Sequence, residues 1–132
     1  LLSDQRHELR KQWNITDDQF VVGQFGRIKQ SKGQYLFIEA ISQLRHKLEN
    51  IRALIVGHTT EQSYLDKLKQ DVATAGISEQ VIFTGFTDRV GDYQQICDCV
   101  VLASDAETFG LVLIEAMQVA MNRFYSFTRP SP

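Results

Sequence analysis

The stretch Phe20-Val21-Val22-Gly23-Gln24-Phe25-Gly26 is a short apolar run with two glycines, the pattern of a buried strand and the turn that ends it. Residues 32–50 then read as a long amphipathic helix, with Leu36, Phe37, Ala40, Ile41, Leu44 and Leu48 on one stripe at spacings of one, three and four. The two periodicities keep alternating. Arg52-Ala53-Leu54-Ile55-Val56-Gly57 predicts a second strand. Residues 61–75 predict a helix that turns Tyr64, Leu65, Leu68 and Val72 inward and stops at Gly76. Val81-Ile82-Phe83-Thr84-Gly85 is a third strand, residues 89–97 a short helix, Cys99-Val100-Val101-Leu102-Ala103 a fourth strand, and residues 111–121 a last helix. Upstream, residues 3–13 read as a helix with Ser3 as its N-cap and Leu9 and Trp13 four apart.

Strands that are each followed by a helix predict a parallel sheet with right-handed crossovers. The near-continuous apolar runs fit strands covered on both faces. The expected fold class is α/β: a Rossmann-like open parallel sheet of about four strands with helices on both faces. In the order 3-2-1-4 the fourth strand becomes an edge although its composition is that of a central strand. An apolar edge invites pairing, so a homo-oligomer through that edge is expected. The patterned part, residues 1–120, is read as one domain that is incomplete at its C-terminus. Residues 121–132 form an atypical tail in which three aromatics alternate with polar residues and two prolines close the chain.

Composition narrows the function classes. The 132 residues carry 14 Lys+Arg against 16 Asp+Glu, a net charge of −2, which supplies no basic face for nucleic acid. At 43% hydrophobic and 23% charged the chain is ordinary globular material. No apolar run approaches the roughly 18–20 residues of a membrane helix. The N-terminus has neither the basic start nor the apolar stretch of a signal peptide. Two cysteines, Cys97 and Cys99, are too few for a disulfide framework, and Cys-Asp-Cys is one residue short of a metal-binding CxxC, so buried free thiols are expected. These features predict a soluble domain of a reducing, cytoplasmic compartment.

Two segments could carry chemistry. In Glu107 to Met117, ETFGLVLIEAM, two carboxylates seven residues apart in between flank a turn into a helix at Phe109-Gly110-Leu111. The free N–H groups of that helix start form an anion site, and Gly110 admits close approach to the main chain. Glu115, about one turn into the helix, has two acceptor oxygens suited to a ribose diol. The same residues also fit a plain helix start, since Ser104 and Glu107 have capping-box spacing. In Gly23 to Gly33, Arg27 and Lys32 flank a short loop after the first strand, where two cations could neutralise a diphosphate or simply be solvated. The glycines form neither GxGxxG nor a Walker loop.

Taken together, VGQFGRIKQSKGQYLFIEAI and ETFGLVLIEAM resemble the retaining GT-B glycosyltransferases, in particular the group 1 (family 4) class that uses nucleotide-diphosphate sugars. RALIVG and VIFTGFTDRVGDYQQICDCVVLASDAETFG match in character, so the resemblance runs from about Phe20 to Ala120. It implies that the chain is the C-terminal, donor-binding half of a GT-B fold. The parent enzyme would move a sugar from a nucleotide diphosphate donor to an unknown acceptor with retention of configuration. Arg27 and Lys32 match the basic pair that holds the diphosphate and supports its departure. Glu107 matches the first glutamate of the E-x7-E signature, at the donor sugar, and Glu115 the second, at the ribose. Phe109, Gly110 and Leu111 match the segment whose amides meet sugar and phosphate, and Gly85, Phe86 and Thr87 are weaker candidates for the base.

On this reading no metal or other cofactor is needed, because fixed cations and amide dipoles take the charge of the departing diphosphate. Asp105 with Glu107 is only a faint echo of a metal-binding DxD. The family's N-terminal acceptor domain is not part of these residues, and its glycine turn and further strand after EAM have no match from Met121 onward. The isolated chain is therefore expected to be inactive, and the full-length protein to be cytoplasmic or peripheral to the membrane. The alternative is a nucleotide-binding or interaction module without turnover; a nucleotide-sugar epimerase shares the two-domain plan but has no specific motif here. His58, after the second strand, reads as an exposed loop residue, and Asn14-Ile15-Thr16 as a coincidental sequon.

Overall fold

The computed structural model describes residues 2–46, 50–101 and 117–120. Elements follow one another as α1 (Leu2–Gln12), β1 (Phe20–Phe25), α2 (Gln34–Leu44), β2 (Ile51–Val56), α3 (Gln62–Ala75), β3 (Val81–Gly85), α4 (Val90–Ile96) and β4 (Cys99–Val101). The strands form one sheet in the order β3-β2-β1-β4. All three pairings are parallel, with Val22 opposite Ala53 and Cys99, and Gln24 opposite Ile55 and Val101. This is the α/β, Rossmann-like sheet expected, in the order expected.

Alternation along the strands divides the core between two faces. Phe20, Val22, Ala53 and Ile55 pack on one face against Phe37, Ile38, Ala40, Ile41 and Leu44 of α2 and Leu68 and Val72 of α3. Val21, Leu54, Val56 and Ile82 pack on the other, against Leu9 of α1 and Tyr93 and Ile96 of α4. Met117, in a short helical stretch at residues 117–120, is buried in the α2 face. Helices thus cover both sides, and the strands carry few polar residues because neither side meets water.

Side-chain hydrogen bonds fasten the second layer. Trp13 Nε1 donates to the Tyr93 hydroxyl at 2.9 Å. Arg10 donates to the carbonyls of Ile96 at 3.2 Å and Thr16 at 2.7 Å. At the start of β4, the Asp98 amide donates to the Val21 carbonyl at 2.7 Å, and Asp98 Oδ2 accepts from the Val21 amide at 2.8 Å. Desolvation raises the Asp98 carboxyl above its ordinary range, partly offset by that Val21 bond and by Arg10.

Several boundaries differ from the sequence reading. The long helix expected at 32–50 begins instead as a 3-10 turn at Gln30–Lys32, breaks at Gly33, and runs as α2 from Gln34. Gly33 has φ 73°, a left-handed conformation that ends the short turn before the α-helix starts. On α2 it is Ile38 that joins the buried stripe, while Leu36 is half-buried. Helix α1 already includes Ser3 in its first turn, so Ser3 is not the N-cap. Gly76, with φ 72°, closes α3 as expected. Cys97 and Cys99 are free and half-buried rather than fully buried. Leu48, the last strand residues Leu102 and Ala103, and the tail at 121–132 lie outside the described residues.

Candidate functional site

In a parallel sheet the C-terminal ends of all strands share one rim, and ligands of open α/β sheets bind there. The residues that follow β1, β2 and β3 meet on this rim. The Gly26 amide donates to the Val56 carbonyl at 3.0 Å, and the Gly57 amide to the Gly85 carbonyl at 3.2 Å. Gly26, Gly57 and Gly85 all have positive φ, so the chain turns out of each strand without a side chain in the way.

Between these turns is a cavity of about 340 Å³ lined by Gly26, Arg27, Gly57, His58, Phe86 and Val90, among others. A neighbouring hollow of about 330 Å³ is more polar, with Thr59, Lys69, Thr84 and Gly85 on its wall. His58 and Phe86 border both. Their rings meet edge to face, centroids 6.2 Å apart at 75°. Phe86 is 75% exposed, so its ring stands open to solvent beside the cavity.

Arg27 and Lys32 occupy the loop that leaves β1, and both side chains are exposed. Neither has an ion-pair partner among the described residues, where the ion pairs are Lys67–Asp71 and Arg89–Asp92. The loop beneath them is held firmly. Ile28 is buried and plugs the loop into the α2 face of the core. Its amide donates to the His58 carbonyl at 2.9 Å, and its carbonyl accepts from Thr59 Oγ1 at 2.8 Å. Two buried glutamines complete the attachment. Gln34 Nε2 donates to the Arg27 carbonyl at 3.0 Å, and Gln24 Nε2 to the Lys32 carbonyl at 2.7 Å. A pair of free cations on a rigid loop is suited to an anionic group with fixed position.

Arg27 and Phe86 therefore face one cavity, Gly85 lies at the adjoining hollow, and Lys32 stands at the far end of the same loop. Glu107, Phe109, Gly110, Leu111 and Glu115 lie outside the described residues. Strand β4 leads toward their segment: Val101 is in register with Gln24, two residues before Gly26, so β4 and β1 run to the same rim. Among the described residues no three His, Cys, Asp or Glu side chains gather as a metal site would require. No described helix is long and apolar enough to cross a membrane.

Sequence reasoning passed over Gln24 and Gln34, and read His58 as an exposed loop residue, which it is. The signal for Gln24 was present, as an uncharged polar residue at an inward position of an otherwise apolar strand. The contact of His58 with Phe86 had none, because it exists only after β2 and β3 pair.

A four-stranded parallel sheet with glycine turns, a basic loop and a cavity on its C-terminal rim is the architecture of a Rossmann-like half-domain. The particular family follows from comparison: residues 5–126 match the family model of glycosyl transferases group 1, and the chain belongs to that family. It is 34% identical over 99 residues to the lipopolysaccharide core biosynthesis mannosyltransferase LpcC of Rhizobium leguminosarum bv. viciae, an alignment covering 74% of this chain and 28% of that protein. The crystal structure of Anabaena Alr3699/HepE in complex with UDP and glucose superposes with a TM-score of 0.72 at 34% identity, covering 86% of this chain and 31% of the other. The C-terminal domain of a glycosyl transferase group 1 protein (LpcC) from Francisella tularensis gives 0.64 at 34% identity, covering 82% and 59%. The fold is thus that of a GT-B glycosyltransferase C-terminal domain, and the chain spans under a third of the length of the Rhizobium relative.

Proposed function

We propose that the chain is the donor-binding domain of a glycosyltransferase that moves a sugar from a nucleotide diphosphate sugar to an acceptor with retention of configuration. The observation that carries this reading is the placement of Arg27 and Lys32 on the clamped β1–α2 loop, with Arg27 opening onto the cavity that Phe86 and His58 border. The Anabaena relative holds UDP and glucose, which supports a uridine or similar nucleotide as the ligand class.

Cleavage of the sugar–phosphate bond leaves its electron pair on the diphosphate. A guanidinium and an ammonium fixed beside that group stabilise the developing charge, and each charge-assisted hydrogen bond contributes about 1.5–3 kcal/mol. The exposed face of Phe86 provides a surface on which a base can stack, and Gly85, with no side chain, leaves the space beside it open. Glu107 would contact the donor sugar and Glu115 the ribose, with the amides of Phe109, Gly110 and Leu111 at sugar and phosphate, as in the family the sequence matches. Cations of the chain itself take the place of a metal ion on this reading. Transfer to an acceptor is proposed of the whole protein, with an N-terminal domain supplying the acceptor site.

Calorimetric titration of UDP and GDP into the chain tests the proposal. Binding of one of them in the micromolar to millimolar range, insensitive to EDTA and weakened by Arg27→Ala and by Glu115→Ala, is expected. Absence of heat with either nucleotide sinks it.

A further inference from the structure

We infer that Gln24 and Gln34 are positioning residues, which hold the two ends of the Arg27–Lys32 loop so that its cations converge on the diphosphate; the inference rests on the donor-binding reading above. Each glutamine reaches across the loop to the cation-bearing residue at its opposite end in space. Gln34, in the first turn of α2, donates to the carbonyl of Arg27 at 3.0 Å. Gln24, on β1, donates to the carbonyl of Lys32 at 2.7 Å. Both bonds go to the main chain of the residue whose side chain carries the charge, which leaves the side chains themselves free for a ligand.

Both glutamines are almost fully inside the protein, at 4% and 1% exposure, and they are the buried polar side chains of the described core. Their Oε1 atoms have no hydrogen-bond partner among the described residues. A buried amide that satisfies only its donor side is a poor choice for stability alone, since an apolar side chain of the same shape is often neutral or better. Apolar residues at positions 24 and 34 would continue the packing of Val22 and Phe37 on this face. What they could not do is grip the two carbonyls. Exposed loop cations otherwise lose side-chain and backbone freedom on binding, and fixing the backbone beforehand removes part of that cost. The clamp is complete from all sides, because Ile28 is tied by its own amide and carbonyl to His58 and Thr59.

The test uses Gln24→Met and Gln34→Met, which keep volume and lose the donor, read by UDP titration and by amide hydrogen exchange of the full chain. Each change is expected to weaken UDP about tenfold, the equivalent of one charge-assisted hydrogen bond. Exchange at the Lys32 and Gly33 amides should rise, with Val22 and Leu54 in the strands still protected. In an Arg27→Ala, Lys32→Ala background the methionine changes should cost UDP binding nothing more, which a merely structural role would not produce. Should either methionine variant lose strand protection, Gln24→Leu or Gln34→Leu, which also lack the donor, replaces it with the same expectation. Wild-type loop exchange and UDP affinity in the variants, or a loss that persists without the two cations, overturns the inference while leaving the donor reading intact. Failure of the wild-type chain to bind UDP or GDP overturns both.

Discussion

Gly57 lies against the carbonyl of Gly26 with no room between them for a side-chain carbon: a Cβ placed on Gly57 would overlap that oxygen. The contact joins the turns that end β1 and β2, and it lets the two loops approach closely enough to share one cavity. Gly57 also has φ 147°, outside the range L side chains adopt readily. Gly57→Ala should therefore cost about 2–4 kcal/mol of stability through backbone strain and overpacking. Urea denaturation measures it, and on the donor-binding proposal UDP affinity should fall in the same variant.

Arg27→Ala and Lys32→Ala should separate binding from folding. Both side chains are exposed and outside the core, so thermal midpoints should stay within a degree or two of wild type, the roughly ±0.5 kcal/mol usual for such surface changes. UDP affinity should fall about tenfold or more for each, as expected for the loss of a charge-assisted contact. Wild-type affinity in both variants would take the loop out of the site.

Phe86→Ala should also leave folding untouched, because the ring is exposed and contributes little to either core face. If a base stacks on it, nucleotide binding should weaken by about 1–3 kcal/mol while inorganic pyrophosphate binding is unchanged. Competition titration with the two ligands distinguishes a base platform from a diphosphate contact.

Arg10→Met tests how α1 is held. The guanidinium donates to two carbonyls, of Thr16 and Ile96, and ties α1 to α4 on the face away from α2. Its removal should cost about 1–3 kcal/mol by leaving those groups without their charged donor. Faster hydrogen exchange in α1 with unchanged UDP affinity is the expected signature.

The pH dependence of stability should carry a cysteine term. Burial pushes the Cys97 thiol up to about 12 from its ordinary 9.0, with Asp98 adding to the effect. In the folded protein the thiol stays protonated where the unfolded chain has already ionised. The unfolded state thus binds fewer protons between pH 9 and 12, and stability falls as pH rises through that window. Below it, the contribution is fully present. Cys97→Ala should flatten the alkaline slope measured by urea denaturation, and Cys97 should resist thiol reagents at neutral pH in the folded state.

The element order was legible because it rests on short-range chemistry. The runs at Phe20, Arg52 and Val81 are too apolar to leave on a surface, and the helices between them carry their apolar residues on one stripe. A parallel sheet covered on both faces is the arrangement that buries all of them. The break at Gly33 was not legible in the same way, since the apolar stripe begins only at Leu36 and fixes no start, and the left-handed turn that separates the 3-10 turn from α2 shows only in the backbone. Exposed residues Arg27 and Phe86 could be nominated from sequence, because a family pattern spans that stretch.

What the amino-acid order determined by itself was the alternation of strands and helices, the faces they bury and the presence of cations, Arg27 and Lys32 among them, on the loop after the first strand. Tertiary structure alone decided that His58 meets Phe86, that Gly57 backs onto Gly26, and that two buried glutamines grip the loop from opposite ends. The physical reason is the range of the forces involved. Hydrophobic burial follows periodicity and can be read locally, whereas a hydrogen bond or a ring contact depends on ångström-scale placement that only the paired strands and packed helices impose.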